Sequence, residues 1–330
     1  MLAGRDALTE RFSGASTRVA RGRSGTSILL FGPHGVGKTV LLNRVGDIAE
    51  RGGLRVGWVE VPQDGDLARV VAARLRASDA SDADDLTDVL VAAGRAAADR
   101  SSGIVLLVDE LQQLSPHDLA ALMTAIERTV QLDLPVVLVG AGLPQLPLLV
   151  ADAKPSARQV LELVQLGALD PDDTREALRQ PVRERGIKLR RRALDRLVEL
   201  TGGYPCVVQA WGYELWNAAA GDGASIGLGD VERAAPAAWR RLEQSLLHAN
   251  LDRLTAAEQE YLRAMAALGP GPHRSGEIAE QLGVRVERVG PRRARLIQKG
   301  MIYSPGHGET AFAVPLLDDL LRRAVSPASA

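Results

Sequence analysis

Eight residues constrain this chain more than anything else in it: Gly32-Pro33-His34-Gly35-Val36-Gly37-Lys38-Thr39. An apolar run, Ser27-Ile28-Leu29-Leu30-Phe31, leads into them, and a helical pattern from Lys38 to about Glu50 leads out, ended by Gly52-Gly53. Glycines at this spacing let the backbone curl until its amides face one point. The helix that follows turns its positive end toward the same point. Lys38 then reaches the terminal phosphates of a nucleotide, and the Thr39 hydroxyl ligates the accompanying magnesium. The pattern predicts a Walker A loop that binds ATP with Mg2+ through Gly32, Pro33, His34, Gly35, Val36, Gly37, Lys38 and Thr39.

A second motif lies roughly 70 residues on, where the apolar run 103–108 ends in Asp109-Glu110. Asp109 suits a magnesium ligand beside Thr39, and Glu110 suits the carboxylate that polarises an attacking water. Glu110 and Lys38 are therefore the candidate catalytic residues. A helix N-cap is the other use of an Asp-Glu pair at such a position. The gap leaves room for an extra strand between the two motifs.

A length of 330 residues favours two or three domains over one core. Net charge is −1, so no whole-molecule field points to nucleic acid or membrane, and such a surface would be local. The single cysteine, Cys206, excludes an internal disulfide and suits a reducing compartment. No apolar run approaches the ~18 residues of a membrane span. Met1-Leu2-Ala3-Gly4-Arg5-Asp6 lacks a signal-peptide core. A cytoplasmic protein with no membrane partner is expected.

Strand-like runs at 27–31, 54–61, 103–108 and 135–139 alternate with helical stretches, including one from Asp66 to Arg76 and one opened by Ser115-Pro116. Leu166-Gly167-Ala168-Leu169 is a candidate fifth strand. All-apolar strands in βα alternation predict a parallel α/β sheet covered on both faces. After Asp170 helices are expected at 172–185, 191–200 and 203–219, with Gly221-Asp222-Gly223 and Gly227-Leu228-Gly229 punctuating the next connection. From Leu254 the order is helix, helix, helix, hairpin, that of a winged helix-turn-helix, opened by the capping box Thr255-Ala256-Ala257-Glu258. The boundaries expected are 1–170 for the nucleotide-binding α/β domain, 171–250 for a helical lid and 251–330 for the winged helix.

The ordered set Leu2-Ala3-Gly4-Arg5-Asp6, Gly32 to Thr39, Val108-Asp109-Glu110-Leu111-Gln112, Gly140-Ala141-Gly142-Leu143-Pro144 and Gly202-Gly203-Tyr204-Pro205 resembles the AAA+/STAND-type P-loop ATPases related to the origin-recognition and Cdc6 proteins. The resemblance covers nearly the whole chain. It implies an AAA+-type parallel sheet followed by lid and winged helix, ATP hydrolysis, Arg5 near the adenine, and Tyr204 and Pro205 closing over the nucleotide. The chain departs from the family twice. The polar sensor usual at the end of the fourth strand is replaced by Gly140-Ala141-Gly142. The arginine of the following segment is replaced by Gln159, with Arg158 displaced by one. Loss of such an arginine slows turnover and favours a nucleotide-controlled switch over a fast motor.

Residues 283–299 carry six basic side chains against Glu287 alone. On the helix opened by Pro291, Arg292, Arg295 and Lys299 form one stripe opposite Leu296 and Ile297, the stripe a recognition helix presents to duplex DNA. Self-association or a protein partner is the alternative use of that surface. A second basic run, from Arg183 to Arg196, reads as a solvated helix face or as a DNA or partner surface, and Cys206 as a buried thiol or an activated one.

Overall fold

The computed structural model describes residues 3–61, 67–75, 85–219 and 225–325. The expected helix limits Asp66 and Arg76, the acidic residues Asp79, Asp82 and Asp84, the turn Gly221-Asp222-Gly223 and the tail 326–330 lie outside these ranges. The chain divides into two compact units: residues 5–32 with 37–166, and residues 33–36 with 167 onward.

The first unit begins with helix α1 (Asp6–Ala20) and strand β1 (Ser27–Phe31). Then come α2 (Lys38–Arg51), β2 (Arg55–Val59), α3 (Leu67–Leu75), α4 (Leu86–Asp99) and β3 (Ile104–Val108). It closes with α5 (Pro116–Gln131), β4 (Val136–Gly142), α6 (Leu146–Ala153) and β5 (Leu161–Gln165). The five strands are parallel in the order β2-β3-β4-β1-β5. β4 thus lies between the two motif-bearing strands, with Gly140 level with both Leu29 and Val108. β3 and β4 are buried along their whole length, as expected of strands covered by helices on both faces.

The helix boundaries follow from their caps. Ser115 accepts from the Asp118 amide with Pro116 in the first turn, so α5 starts where its first free N–H groups are satisfied. Asp85 caps α4 in the same way, at the Thr87 amide. One expectation is corrected: the fifth strand is Leu161–Gln165, paired with β1 from Ser27↔Leu161, and not residues 166–169. The Glu162 carboxylate that interrupts its apolar pattern pairs with Arg11 at 2.7 Å on this edge strand. Trp58 is exposed on the opposite edge strand, β2.

The second unit contains α7 (Pro171–Arg183), β6 (Lys188–Leu189), α8 (Arg191–Thr201), α9 (Pro205–Ala219), β7 (Ser225–Ile226), α10 (Leu228–Leu242) and the short α11 (Ala249–Leu251). It continues through α12 (Ala256–Ala267), β8 (His273–Arg274), α13 (Ser275–Gln281), α14 (Gly290–Gln298), β9 (Ile302–Tyr303), β10 (Glu309–Phe312) and α15 (Leu317–Val325). β8, β10 and β9 form one three-stranded sheet with antiparallel pairings. Helix, strand, two helices and two strands, from α12 to β10, is the winged helix-turn-helix order. A single apolar core runs from Leu178 through Trp211 and Tyr261 to Leu321, so the segments expected as lid and winged helix share their packing. Trp211 is fully buried there and meets Trp239 edge-on, with ring centroids 5.9 Å apart.

The connection expected around 227–229 is instead the start of α10. Gly227 is its N-cap, with its amide bound to the Asp230 carboxylate at 2.7 Å, and Gly229 lies inside the helix. No helix among the described residues is long and apolar enough to cross a membrane.

Candidate active site

The Walker loop forms as its glycines require. Gly35 and Gly37 have φ of +72° and +90°, the left-handed region that other residues rarely adopt, and Gly37 is the N-cap of α2. Within the first unit, Lys38 is 5% exposed and its ammonium donates to the Gly32 carbonyl at 2.9 Å. Burial draws the Lys38 pKa below its ordinary 10.5, while the Glu110 and Asp109 carboxylates work in the opposite direction. Within the second unit, the His34 amide donates to the Ala313 carbonyl at 2.8 Å, and the Gly35 carbonyl accepts from the Cys206 amide at 3.1 Å. Pro33 is part-exposed and Val36 is buried.

Asp109 and Glu110 follow β3, one strand removed from the loop. The Thr39 hydroxyl donates to Asp109 Oδ2 at 2.5 Å. A hydroxyl and a carboxylate oxygen converging there, beside a lysine, are hard oxygen donors of the kind magnesium selects. Asp109 and Thr39 therefore fit that ion. Asp109 Oδ1 accepts from the Glu110 amide at 2.9 Å. Glu110 has φ +55° and ψ +40°, uncommon for a residue with a side chain. Its Oε2 accepts from the Gln112 side-chain amide.

The other expected residues lie as follows. Arg5 is the N-cap of α1, where its carbonyl accepts from the Leu8 and Thr9 amides. Tyr204 is part-buried against the helical core. Its phenol pKa is raised by burial first, then by Tyr303, Asp318 and Cys206. Pro205 opens α9. Burial pushes the Cys206 thiol above its ordinary 9.0, which is opposite to an activated thiolate. Arg158 lies in a 3-10 turn, Pro155–Gln159, where each residue advances about 120° and not the 100° of an α-helix. It donates to the Pro147 carbonyl at 3.4 Å.

The residues of the basic stripe differ in their surroundings. Lys299 is engaged within the protein: its ammonium binds Glu258 Oε2 at 2.8 Å and the Arg253 carbonyl at 3.0 Å. Arg292 is part-buried, 3.8 Å from Glu260. Arg293 holds Thr310, Ser304 and the Glu309 carbonyl, tying α14 to the hairpin. Arg295 is exposed on α14, and Arg285 and Arg288 are exposed just before it. Among the described residues none of these three has a carboxylate within ion-pair distance.

Residues 21–146 match the AAA domain family, and residues 244–321 match a domain of unknown function (DUF8462). No curated protein matches the chain. Among the solved structures that resemble it along nearly its whole length are the following. The Aeropyrum pernix ORC2 protein, in ADPNP–ADP complexes, is 16% identical, with a TM-score of 0.61 over 98% of this chain and 96% of that one. The Walker-type ATPase PABY2304 of Pyrococcus abyssi is 18% identical, with a TM-score of 0.62 over 97% and 96%. The Thermotoga maritima RuvB Holliday junction branch migration motor is 16% identical, with a TM-score of 0.52 over 94% and 92%. The matched domain, the strand order and these likenesses agree on the fold: residues 21–146 match an AAA domain, and the chain has an AAA+-type P-loop α/β fold.

Proposed function

We propose that the protein is a magnesium-dependent ATPase that acts as a nucleotide-controlled switch. The observation that carries this reading is the 2.5 Å approach of the Thr39 hydroxyl to Asp109, with Lys38 and Glu110 alongside. Lys38 supplies positive charge to the terminal phosphates, and the amides of the loop 32–39 bind their oxygens. Thr39 and Asp109 hold the magnesium, which when bound neutralises charge on the phosphate oxygens. Glu110 orients the attacking water and accepts its proton. The absence of a polar side chain on the last residues of β4, and Gln159 in place of an arginine, favour slow turnover. Nucleotides are also what the ORC2 structure names in its complexes.

Lys38→Ala removes the only ammonium of the loop. It should weaken ATP binding at least tenfold in magnesium, about 1.4 kcal/mol. Glu110→Gln should keep ATP affinity and lose most turnover, because the carboxylate acts on the reaction step. Calorimetric titration together with phosphate release decides both. Unchanged affinity for the first variant, or wild-type turnover for the second, refutes the assignment.

The output side of the switch is proposed to be duplex DNA, bound through the exposed arginines on and before α14. Support comes from three arginines without carboxylate partners beside a helix in winged-helix order. RuvB, a fold relative, is named a Holliday junction branch migration motor.

A further inference from the structure

We infer that Gln112 is the positioning residue for Glu110, filling from the turn after β3 the polar place that β4 leaves empty. The inference rests on the ATPase reading above and concerns how the site holds its base.

The end of β4 is glycine because its neighbours already occupy the space. A Cβ on Gly140 would sit 2.3 Å from Leu111 Cδ1 and 2.8 Å from Leu29 Cδ2. On Gly142 it would sit 2.9 Å from Gln112 Oε1 and 3.0 Å from Leu146 Cδ2. The 3-10 turn Leu111–Gln113 thus lays one apolar and one polar side chain against the two glycines. Gln112 spans the strand ends. Its Oε1 accepts from the Leu143 amide, just past β4, at 3.0 Å, and its Nε2 donates to Glu110 Oε2, just past β3.

The backbone amide of Leu143 can only donate, so it fixes which end of the carboxamide faces it. The NH2 group must then face the carboxylate. Glu110 is held in turn from both sides, by a left-handed backbone and by this side-chain bond. One carboxylate oxygen is engaged, and among the described residues Oε1 has no protein hydrogen bond. A general base oriented through one oxygen and open at the other is the arrangement water activation requires. No side chain of β4 takes part, because Gly140, Ala141 and Gly142 carry none that could.

Three variants test this in the full chain: Gln112→Leu, Gly142→Ala and Gln112→Leu combined with Glu110→Gln. Gln112→Leu should lower kcat at least tenfold while ATP Kd stays within about twofold. Gly142→Ala, whose methyl displaces the carboxamide, should give a smaller loss of the same kind. In single-turnover measurements the combined variant should be no slower than Glu110→Gln alone, since Gln112 acts only through Glu110. Wild-type kcat in Gln112→Leu overturns the inference, as does an equal fractional loss in the Glu110→Gln background. A loss of ATP affinity matching the loss of rate overturns it too, by reducing Gln112 to a structural role. If Gln112→Leu fails to fold, wild-type kcat in Gly142→Ala overturns the inference and a selective loss of kcat upholds it. An absence of magnesium-dependent turnover in the wild type defeats the ATPase reading and this inference together. Turnover lost in Glu110→Gln but kept in Gln112→Leu defeats the inference alone.

Discussion

At the scale of single residues, Lys299 has a partner that its place in the sequence does not announce. Its stripe position on a helix suggested a phosphate contact, but its partner is 41 residues away. Glu258 is 1% exposed and takes both the Thr255 amide, at 2.8 Å, and the Lys299 ammonium. Burial works to raise its pKa, yet the bonds from Lys299 and Thr255 prevail and hold it below the ordinary 4.5. A carboxyl with a depressed folded-state pKa contributes stability that is present above about 4.5 and lost as pH falls through its folded value. The second unit should therefore weaken as the solution is acidified below that point. Lys299→Ala leaves a buried carboxylate without its cation. It should cost about 2 kcal/mol, discounted because the lysine itself is a third exposed. Denaturant melts at pH 7 and at pH 3.5 check both statements: the gap between wild type and variant should be clear at the first and shrink at the second.

At the scale of elements, α14 and the turn before it are the place to test DNA. Arg285, Arg288 and Arg295 are exposed and can each neutralise a phosphate. Removing all three should reduce the slope of log affinity against log salt by about three, roughly one per contact. Lys299→Ala should leave that slope unchanged. If wild type binds no duplex with salt-dependent affinity, this surface serves a protein partner instead. Much of the element order was legible beforehand, because apolar strands and N-caps are local signals. Ser115 and Thr255 both cap where the pattern put them. What escaped was non-local. β8 is two residues long and exists through its pairing with β10. α10 begins at a glycine and holds Pro236 in its interior, both of which argue locally for a loop, and its packing on α9 prevails. The same holds at the site. The Walker residues were readable from spacing alone. In the sequence Gln112 is visible only as part of a motif, and the two glycines of β4 signal only a missing side chain, because a hydrogen bond that spans 31 residues leaves no periodic trace.

At the scale of the molecule, the shared core of the second unit has a measurable result. α9 and α10 pack on each other, α12 packs on α15, and one apolar cluster includes side chains from all four. The segments 171–250 and 251–325 should therefore open together and not as separate domains. Trp211→Ala removes the largest fully buried side chain of that cluster. It should cost about 3–5 kcal/mol and lower hydrogen-exchange protection in α7 to α10 and in α12 to α15 alike. Amides of β1, β3 and β4, in the other unit, should keep theirs. Loss confined to the helices before residue 251 would show two cores where one is described.

The close approach of Gln112 to Gly142 also ties two distant positions into one unit of descent. A methyl at 142 cannot coexist with the carboxamide in its present place, and a polar side chain at 142 would have no use for it. Relatives of this chain should then come in two kinds: those with glutamine after the acidic pair and glycine at the end of β4, and those with a side chain at the end of β4 and some other residue in place of the glutamine. A lineage passing from one to the other must change both positions, and the intermediate with neither polar group would hold its base least well. The two positions should be inherited as a pair, and the gap of 30 residues between them would hide that pairing from any reading of the sequence one motif at a time.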